Sequence, residues 1–430
     1  MNKFKRIFSN PDVIKRLAFT FLILLVFKLG TYIPVPLIDT TSIKQVLSGN
    51  DFLTILNTFS GGGLSSFSIL ALGISPYITS SIIVQMLGMV IPKLKEWQEL
   101  GETGKTKLNR VTRYITMVVA YVQALALLFS LGTRPVNILT NSALSFKYAW
   151  ILYLYMAMVI TAGSAFTMWL ADLITKHGIG NGSSMIICAG IVSSIPTMFT
   201  TLGTTYLGSA YTGANLAKFI TIVALYVLMI VFVVFFEAAK RRIPVQYANR
   251  QKSENSDIPI KLNSAGVIPV IFASTIASIP LTIVGMLGYE TSSNQAAYWL
   301  DQIFNSSNPI GMTLYILMIF FFSYFYAFLT IDPEKVGDNL SKQNAFVPGY
   351  KPGEDTKRFI SRILFRVTTI GAVGLTFLAL VPVIVSMIFG LSSSVTVGGT
   401  SLLIIVGVAI ETFNQIEATA ENDSYQKLIS

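Results

Sequence analysis

Apolar runs separated by short polar segments recur along the whole chain of 430 residues. A helix needs about 20 residues to cross a hydrocarbon core of about 30 Å, and ten of the runs approach or exceed that length. The pattern therefore predicts ten membrane-spanning helices. The runs are residues 17–36, 76–91, 114–131, 148–173, 183–202, 216–236, 264–287, 310–330, 364–389 and 399–416.

The apolar stretch 59–92 is broken in the middle and cannot form one membrane helix. Three consecutive glycines open it, Gly73 interrupts it, and Pro76 follows; both residue types weaken a helix. We predict a short amphipathic half-helix at about 64–72 and a membrane helix at about 76–91. The half-helix, roughly 14 Å long, is too short to span. Because broken backbone at membrane depth is tolerated only inside protein or beside a water-filled cavity, the stretch indicates a cavity within a helix bundle that holds a short mobile segment.

The basic residues between the runs indicate the orientation of the chain. Lys and Arg accumulate in cytosolic loops, and nearly all of the 31 Lys and Arg residues fall on one side of the predicted spans. Both termini are therefore predicted to be cytosolic. Lys28 lies inside the first run, where its amine is expected to extend toward an interface; this run is too long for a removable signal peptide and is interpreted as a retained helix. The exceptions on the other side are Lys44, Arg134, Lys147 and Lys218.

The composition supports a polytopic membrane protein. The chain is 53% hydrophobic and 12% charged, with a mean hydropathy of +0.64, whereas a soluble domain is roughly 25% charged. The net charge of +10 follows mainly from the orientation of the loops. A single cysteine, Cys188, and a single histidine, His177, exclude an internal disulfide framework and a His/Cys metal cluster.

Two cytosolic loops, residues 237–263 and 331–362, are longer and more mixed in charge than orientation requires. They are typical either of a docking surface for a large cytosolic partner or of a contact with anionic lipid. The sequence alone leaves both interpretations open.

Two glycine-rich motifs resemble nucleotide sites but lack the necessary context. Residues 101–106 read GETGKT, yet Glu99 stands where a phosphate loop needs its first glycine, and no strand precedes it. Residues 177–182 lack the strand and the acidic partner of a dinucleotide site, and they predict a tight turn. We therefore expect no catalytic residue, no metal, no cofactor and no recognition of nucleic-acid sequence.

Three classes of function fit a broken helix in a membrane bundle: a passive polypeptide channel, a secondary transporter of a small solute, and an intramembrane enzyme. A transporter usually buries ionisable groups at mid-membrane or has two matched broken helices, whereas Asp172, Glu237 and Glu411 stand at or near span ends. An enzyme would need a catalytic dyad or a metal set within the spans. The pattern counts against the transporter and the enzyme, and the transporter with a broken-helix site is kept as the alternative to a passive channel.

Five sequence blocks, in order and at matching membrane positions, resemble the SecY family, the pore subunits of bacterial protein translocases. The match covers essentially the whole chain, and the ordered set carries the resemblance. The blocks are FSGGG at 59–63 with ALGISPYI at 71–78, RIPVQYA at 242–248, NSAGVIPVIFA at 263–273, DNL at 338–340 with AFVPGYKPGE at 345–354, and GGTSLLI at 398–404.

The resemblance implies an all-α polytopic membrane protein with ten transmembrane helices. They would form two inverted five-helix halves that close like a clamshell around a central hourglass pore. Such a channel would translocate unfolded secretory polypeptides and insert membrane proteins laterally, driven by a motor ATPase or the ribosome. The implied divisions are a cytosolic segment 1–16, an N-terminal half 17–203, an external loop 204–218, a C-terminal half 219–416 with cytosolic loops 237–263 and 331–362, and a cytosolic tail 417–430.

By resemblance, an apolar ring constricts the pore at mid-membrane. An apolar constriction can gate by dewetting and grips no particular side chain, which suits a channel for polypeptides of any sequence. Taken alone, each ring isoleucine is typical of lipid-facing or core packing, so the family blocks carry the assignment. The sixth position is a serine where the family usually has an aliphatic residue. The ring positions are Ile74, Ile78, Ser183, Ile187, Ile271 and Ile404.

The resemblance also makes the half-helix, about 60–72, a plug in the extracytoplasmic funnel. A lateral gate would open between spans 2 and 3 on one side and spans 7 and 8 on the other. Polar gate residues are expected to form interhelical hydrogen bonds of about 0.6–2 kcal/mol, weak enough for a signal sequence to compete. The plug residues are Ser60, Gly61, Gly62, Gly63, Leu64, Ser65, Ser66, Phe67, Ser68, Ile69 and Leu70. The gate residues are Thr79, Ser80, Gln85, Ser274 and Thr275.

The two cytosolic loops would then dock the SecA motor ATPase and the ribosome. The loop after Arg250 is shorter than is usual in the family, and Lys351 stands where the family has an arginine, which keeps the charge but loses the bidentate fork. Other implied partners are SecE-like and SecG-like membrane subunits, signal sequences and unfolded preproteins, and the lipid bilayer of the bacterial plasma membrane. The docking residues are Arg241, Arg242, Arg250, Lys351, Lys357 and Arg358. Without a bound partner, we expect the channel to be closed.

Overall fold

The structure, a computed structural model, describes residues 11–36, 57, 60–132, 142–207, 213–247, 256–286, 295–305, 308–343, 345–351, 353–389 and 399–429. Helices dominate this part of the chain. They are α1 (Pro11–Gly30), α2 (Ser75–Val90), α3 (Pro92–Glu99), α4 (Glu102–Gly132), α5 (Ser142–His177), α6 (Gly182–Leu207), α7 (Gly213–Ala238), α8 (Ile268–Met286), α9 (Gln295–Phe304), α10 (Pro309–Thr330), α11 (Pro333–Lys342), α12 (Glu354–Phe389) and α13 (Gly399–Ile429).

Every predicted apolar run overlaps one of these helices. Within the described residues, six helical segments are long and apolar enough to cross a membrane, on α4, α5, α6, α7, α10 and α12. A seventh is obtained if α2 and α3 are counted as one bent span. For α1, α8 and α13 the assignment as spans stays a prediction.

A proline stands close to each end of helix α2. Pro76 stands in its first turn, where a missing N–H costs nothing. At the other end Ile91 is extended, with φ −93° and ψ 112°, and Pro92 opens α3. The two helix axes are bent by 108°. The bend was not predicted, and it directs α3 away from the membrane-spanning direction of α2.

Three groups of buried apolar side chains hold the helices together. The largest joins α7, α8, α10, α12 and α13, and it also includes Ile82 of α2 and Met198 of α6. A second packs residues 64–72 against α4 and α5. A third joins α1, α5 and α6 to the start of α2 and to α13. The second and third groups therefore enclose the stretch in which the sequence pattern is broken.

The two loops predicted to be cytosolic meet in one small sheet that the sequence did not predict. Strands β1 (Lys240–Tyr247) and β2 (Ser256–Lys261) pair antiparallel, and β3 (Ala345–Phe346) pairs antiparallel with the other edge of β1. Ile243 and Val245 are buried while their neighbours on β1 are exposed, which is the period of a half-buried strand. Loop 237–263 and loop 331–362 are thereby joined into one surface.

Two helices extend beyond their predicted apolar runs. Helix α12 begins at Glu354, ten residues before the run at 364, and α13 continues to Ile429. The segment 417–430, predicted as a separate tail, is thus a continuation of α13 as far as residue 429.

Candidate pore and plug site

Residues 60–74, which we call the turn segment, form consecutive turns rather than the predicted half-helix. The reason lies in the backbone: Gly61, Gly62, Gly73 and Phe67 have positive φ angles of 68°, 86°, 53° and 41°. A right-handed helix needs negative φ throughout, and glycine adopts positive values without a Cβ penalty. The predicted half-helix is wrong, although the predicted break in the helix is confirmed.

The middle of the turn segment pairs with the chain that follows α1. Ser68 and Pro34 form an isolated antiparallel bridge. The amide of Val35 donates to the carbonyl of Phe67 at 2.9 Å, and the amide of Ile69 donates to the carbonyl of Ile33 at 3.0 Å. These bonds satisfy backbone groups that the helix would otherwise have paired.

The turn segment is enclosed by protein. Leu64, Phe67 and Leu70 are each at most 2% exposed. The first two pack against α4 and α5, and Leu70 packs against α1 and α6. The expectation that the broken backbone lies inside the bundle is confirmed for these residues.

The turn segment lies close to the backbone of three helices at glycine positions. We call these positions, Gly30, Gly163 and Gly190, the glycine seat. A Cβ added at Gly163 of α5 would lie 1.9 Å from the carbonyl oxygen of Ile69. One added at Gly30 would lie 2.6 Å from a methyl carbon of Leu70. At Gly190 the close approach comes from the turn segment, because a Cβ added at Gly61 would lie 3.1 Å from the Cα of Gly190. A larger residue at Gly163 or Gly30 would therefore push on the turn segment.

A lysine and a serine bind the turn segment from the helices beside it. The ammonium of Lys28 on α1 donates to the carbonyl of Gly61 at 2.8 Å, and the hydroxyl of Ser193 on α6 donates to the same oxygen at 3.4 Å. The ammonium also lies 5.1 Å from the ring centroid of Tyr32. Lys28 therefore binds the turn segment, and the expectation that its amine extends toward an interface stays a prediction.

Five of the six predicted ring residues come together at one place. Ile74, Ile187 and Ile404 are buried in one apolar group, and Ile78 and Ile271 pack against it. They come from the start of α2 and from α6, α8 and α13, so both halves of the chain contribute. Leu70 of the turn segment belongs to the same group.

The sixth position, Ser183, lies one helical turn before Ile187 on α6. It is half-buried, and its hydroxyl donates to the side-chain oxygen of Asn181 at 2.7 Å. The hydroxyl is therefore already bound at the start of α6. Cys188, the neighbour of Ile187, is half-buried and packs against the isoleucine group.

Most predicted gate residues bond to their own helix rather than across the gate. Thr79 and Ser80 donate to carbonyls one turn earlier on α2, at 3.1 and 2.7 Å. Ser274 and Thr275 both donate to the carbonyl of Ile271, at 2.9 and 2.7 Å. The expectation of interhelical bonds is not met by these contacts, because a hydroxyl on a helix reaches the preceding turn of that helix easily.

Gln85 forms the interhelical bond that was expected of the gate. Its side-chain oxygen accepts a hydrogen bond from the hydroxyl of Tyr326 on α10 at 2.8 Å. Tyr326 is 2% exposed and packs edge-on against Phe272 of α8, with ring centroids 4.7 Å apart. Ile82 of α2 lies in the same apolar group. Helix α2 thus packs directly against α8 and α10.

Sequence reasoning missed both Lys28 and Tyr326 as contacts of the site. Tyr326 lies in the run FFFSYFYAF, where its hydroxyl carries no distinguishing pattern. Lys28 was visible as a charge inside a span, a feature that marks a functional position in membrane proteins. This charge could therefore have identified Lys28 as a contact of the site.

The predicted docking residues lie on the sheet and beside it. Arg241 and Arg242 are exposed on β1, and Arg242 lies 4.0 Å from the carboxylate of Asp257 on β2. Lys351 and Arg358 are also exposed. Arg250 lies outside the described residues.

Lys357 differs from the other docking residues because it is engaged within the protein. Its ammonium lies 2.9 Å from Asp338 and 3.2 Å from Glu354. A Cβ added at Gly337 would lie 2.5 Å from the Lys357 side chain, so this stem fills the space between α11 and α12. These contacts indicate a role in packing α11 onto α12.

Charged groups elsewhere in the bundle are paired at the ends of helices. Arg113 of α4 forms an ion pair with Asp172 of α5. Glu237, buried at the end of α7, accepts a hydrogen bond from the side chain of Asn263 at 2.7 Å. Within the described residues, no group of three or more His, Cys, Asp or Glu side chains could hold a metal ion.

Comparisons with known proteins point to one family. A family model described as SecY matches residues 68–413. The chain is 40% identical to protein translocase subunit SecY of Staphylococcus epidermidis RP62A over 435 residues, covering 98% of both chains. It is also 40% identical to the subunit of the same name from Staphylococcus aureus NCTC 8325 over 429 residues, covering 97% of both.

Solved structures show the same fold. A protein-conducting channel superposes with a TM-score of 0.67 at 18% identity, covering 94% of this chain and 91% of that one. A SecY channel, described by the effect of its plug domain on the closed state, gives 0.65 at 19% identity, and Sec61 of a canine ribosome–channel complex gives 0.62 at 19%, both with the same coverage. At these identities the likeness establishes the fold.

Proposed function

Because the chain belongs to the SecY family, we propose that it forms the pore of a protein translocase, through which unfolded polypeptides cross a membrane. The observation that carries the proposal is the convergence of five isoleucines from four helices of both halves on one group that also contains Leu70 of the turn segment. The small-solute transporter considered from the sequence lacks comparable support.

The isoleucine group would act as the constriction of the channel. A polypeptide in transit presents polar backbone and charged side chains, which are costly to place in hydrocarbon. An apolar constriction can exclude water when it is empty and binds no side chain selectively when it is occupied. Ser183 would lie on the cytosolic side of this constriction, with its hydroxyl bound to Asn181.

The turn segment would be the plug that fills the external side of the constriction. Its burial against α4, α5 and α6 supports this role, as does the packing of Leu70 with the isoleucine group. The packing of α2 against α8 and α10 supports a closed lateral gate, with Gln85 and Tyr326 as its polar contact. The channel would carry out no catalysis of its own, and an external motor would supply the energy.

The partners we propose follow from the family. They are SecE-like and SecG-like membrane subunits, a SecA motor, the ribosome, and the signal sequences of preproteins. The sheet formed by loops 237–263 and 331–362 offers exposed Arg241, Arg242, Lys351 and Arg358 to the cytosolic partners. We place the chain in the bacterial plasma membrane with both termini in the cytosol, divided into halves 17–203 and 219–416.

Site-specific crosslinking tests the proposed path. Cysteines at Ile78 and Ile271, each in a Cys188→Ser background, are expected to crosslink a preprotein arrested during translocation in reconstituted vesicles. A cysteine at Leu228, an exposed position of α7, is the control and is expected to give none. Confirmed translocation without a crosslink at either ring position would overturn the proposed path.

A further inference from the structure

We propose that Lys28 is the residue that holds the turn segment in its closed position, through the hydrogen bond from its ammonium to the carbonyl of Gly61. This inference rests on the proposed role of the turn segment as a plug. It adds a positioning residue on α1, outside the ring, the gate and the plug.

The donor is unusual because it is a charged group inside an apolar helix. Lys28 lies near the end of α1, and its neighbour Phe27 and the nearby Ile23 are buried. An ionised side chain within a membrane span is costly unless it finds a partner or water. Here the ammonium has the Gly61 carbonyl at 2.8 Å and the face of Tyr32 at 5.1 Å. Both contacts stabilise a cation.

The acceptor is presented by a turn that depends on glycine. Gly61 has a φ of +68°, a conformation that side-chain-bearing residues rarely adopt. A Cβ added at Gly61 would lie 3.1 Å from the Cα of Gly190 on α6, so the two backbones are close. The Ser193 hydroxyl, which donates to the carbonyl of Gly190 at 2.8 Å, also lies 3.4 Å from the carbonyl oxygen of Gly61. Gly61 is therefore fixed between α1 and α6, and Lys28 supplies its charged contact.

Displacement of the turn segment would separate Lys28 from this carbonyl. The ammonium would then need water or another acceptor, so the bond favours the closed state over the open one. A hydrogen bond to a charged group shifts such an equilibrium by roughly 10- to 100-fold. Tyr32, in the turn that directly follows α1, is expected to remain beside the cation in either state.

The test measures the resting ion conductance of the purified translocase complex in planar bilayers. Lys28→Met keeps most of the side-chain length and removes the charge and the donor, and it is expected to raise the open frequency without substrate by about 10- to 100-fold. Lys28→Arg retains a cationic donor, and its open frequency is expected to stay close to that of the unmodified channel. Leu29→Met, at the exposed neighbouring position, is the matched control and is expected to change nothing.

Deletion of residues 60–72 separates this inference from the proposed function. The deletion is expected to raise the resting conductance, and Lys28→Met is expected to add nothing further in the deleted chain. A deletion without effect would overturn the plug itself. Two results would overturn the role of Lys28 alone. One is a raised resting conductance in the deletion variant together with an unchanged conductance in Lys28→Met. The other is an equal increase in conductance caused by Lys28→Met with and without the deletion.

Discussion

At the scale of single residues, glycines allow the turn segment to lie close to the helices around it. Gly163 and Gly30 each allow the turn segment to approach a helix more closely than a Cβ would permit, and Gly61 within the segment does the same opposite Gly190. Small residues serve the same purpose at helix interfaces in membranes. Here the neighbour that approaches is irregular backbone, whose own polar groups are bound by Lys28, Ser193 and the chain after α1.

Gly163→Ala is expected to displace the turn segment, because its Cβ would lie 1.9 Å from the carbonyl oxygen of Ile69. Overpacking of this kind costs about 1–3 kcal/mol. The variant should show a raised resting conductance and a lowered melting temperature. Gly203→Ala on α6, where an added Cβ meets nothing within 4 Å, is the control. Equal behaviour of the two variants would contradict a seat at Gly163.

The sequence predicted part of the structure of the turn segment and of the isoleucine group. The triple glycine and Gly73 with Pro76 predicted a break, because these residues act through the local backbone. Whether the broken piece would be helix or turn depended on its pairing with residues 33–35, which local patterns do not reveal. The ring isoleucines came from the resemblance, since an apolar residue in an apolar helix has no signature of its own.

At the scale of elements, one hydrogen bond joins helices that the proposed gate would separate. The hydroxyl of Tyr326 on α10 donates to Gln85 on α2 within an apolar surrounding of Ile82, Phe272 and Phe322. Interhelical hydrogen bonds in membranes are worth about 0.6 kcal/mol on average and up to about 1.7. Such a bond can hold two helices in register and still yield to a competing helix.

Tyr326→Phe removes only the hydroxyl and is expected to ease separation of α2 from α10 by roughly 3- to 15-fold. A photoreactive signal sequence should then label position 82 more efficiently. Tyr324→Phe is the matched control, because the Tyr324 hydroxyl pairs with Thr369 of α12 and does not reach α2. Labelling that rises equally in both variants would exclude a specific role for the Gln85 contact.

The sheet formed by β1, β2 and β3 shows why elements between the long helices were harder to predict. Strand β1 has only eight residues, three exposed basic residues open it, and it contains Pro244, a residue type that is rare within sheets. Its partner β3 has two residues and lies about a hundred positions away in the sequence. Such pairing is fixed by tertiary contacts, among them the packing of Val245 with Leu340 and Ile360.

At the scale of the whole molecule, the two halves meet at the isoleucine group and again at the turn between α5 and α6. The turn between α5 and α6 is bound from both directions: the amide of Ile179 donates to Thr20 of α1 at 3.0 Å, and the amide of Gly180 donates to Gln415 of α13 at 2.7 Å. The first bond lies within the N-terminal half, and the second links it to the last helix. The sequence predicted a tight turn here but not its partners.

Gln415→Leu leaves the buried amide of Gly180 without its acceptor, which costs about 1–3 kcal/mol. We expect the melting temperature of the purified chain, followed by tryptophan fluorescence, to fall by a few degrees. Gln415→Glu retains an acceptor oxygen and should lose less. A melting temperature unchanged by Gln415→Leu would mean that this bond does not hold the halves together.

The glycine seat has a consequence for the order in which the protein is made. The turn segment leaves the ribosome early, whereas Gly163 and Gly190 follow roughly 90 and 120 residues later, on the order of 5 to 25 s of synthesis. During that interval the segment has α1 beside it but neither of its other two supports. The segment proposed as the plug is therefore synthesised before the helices that enclose it, and its apolar side chains need another protected environment until the fifth apolar run is inserted.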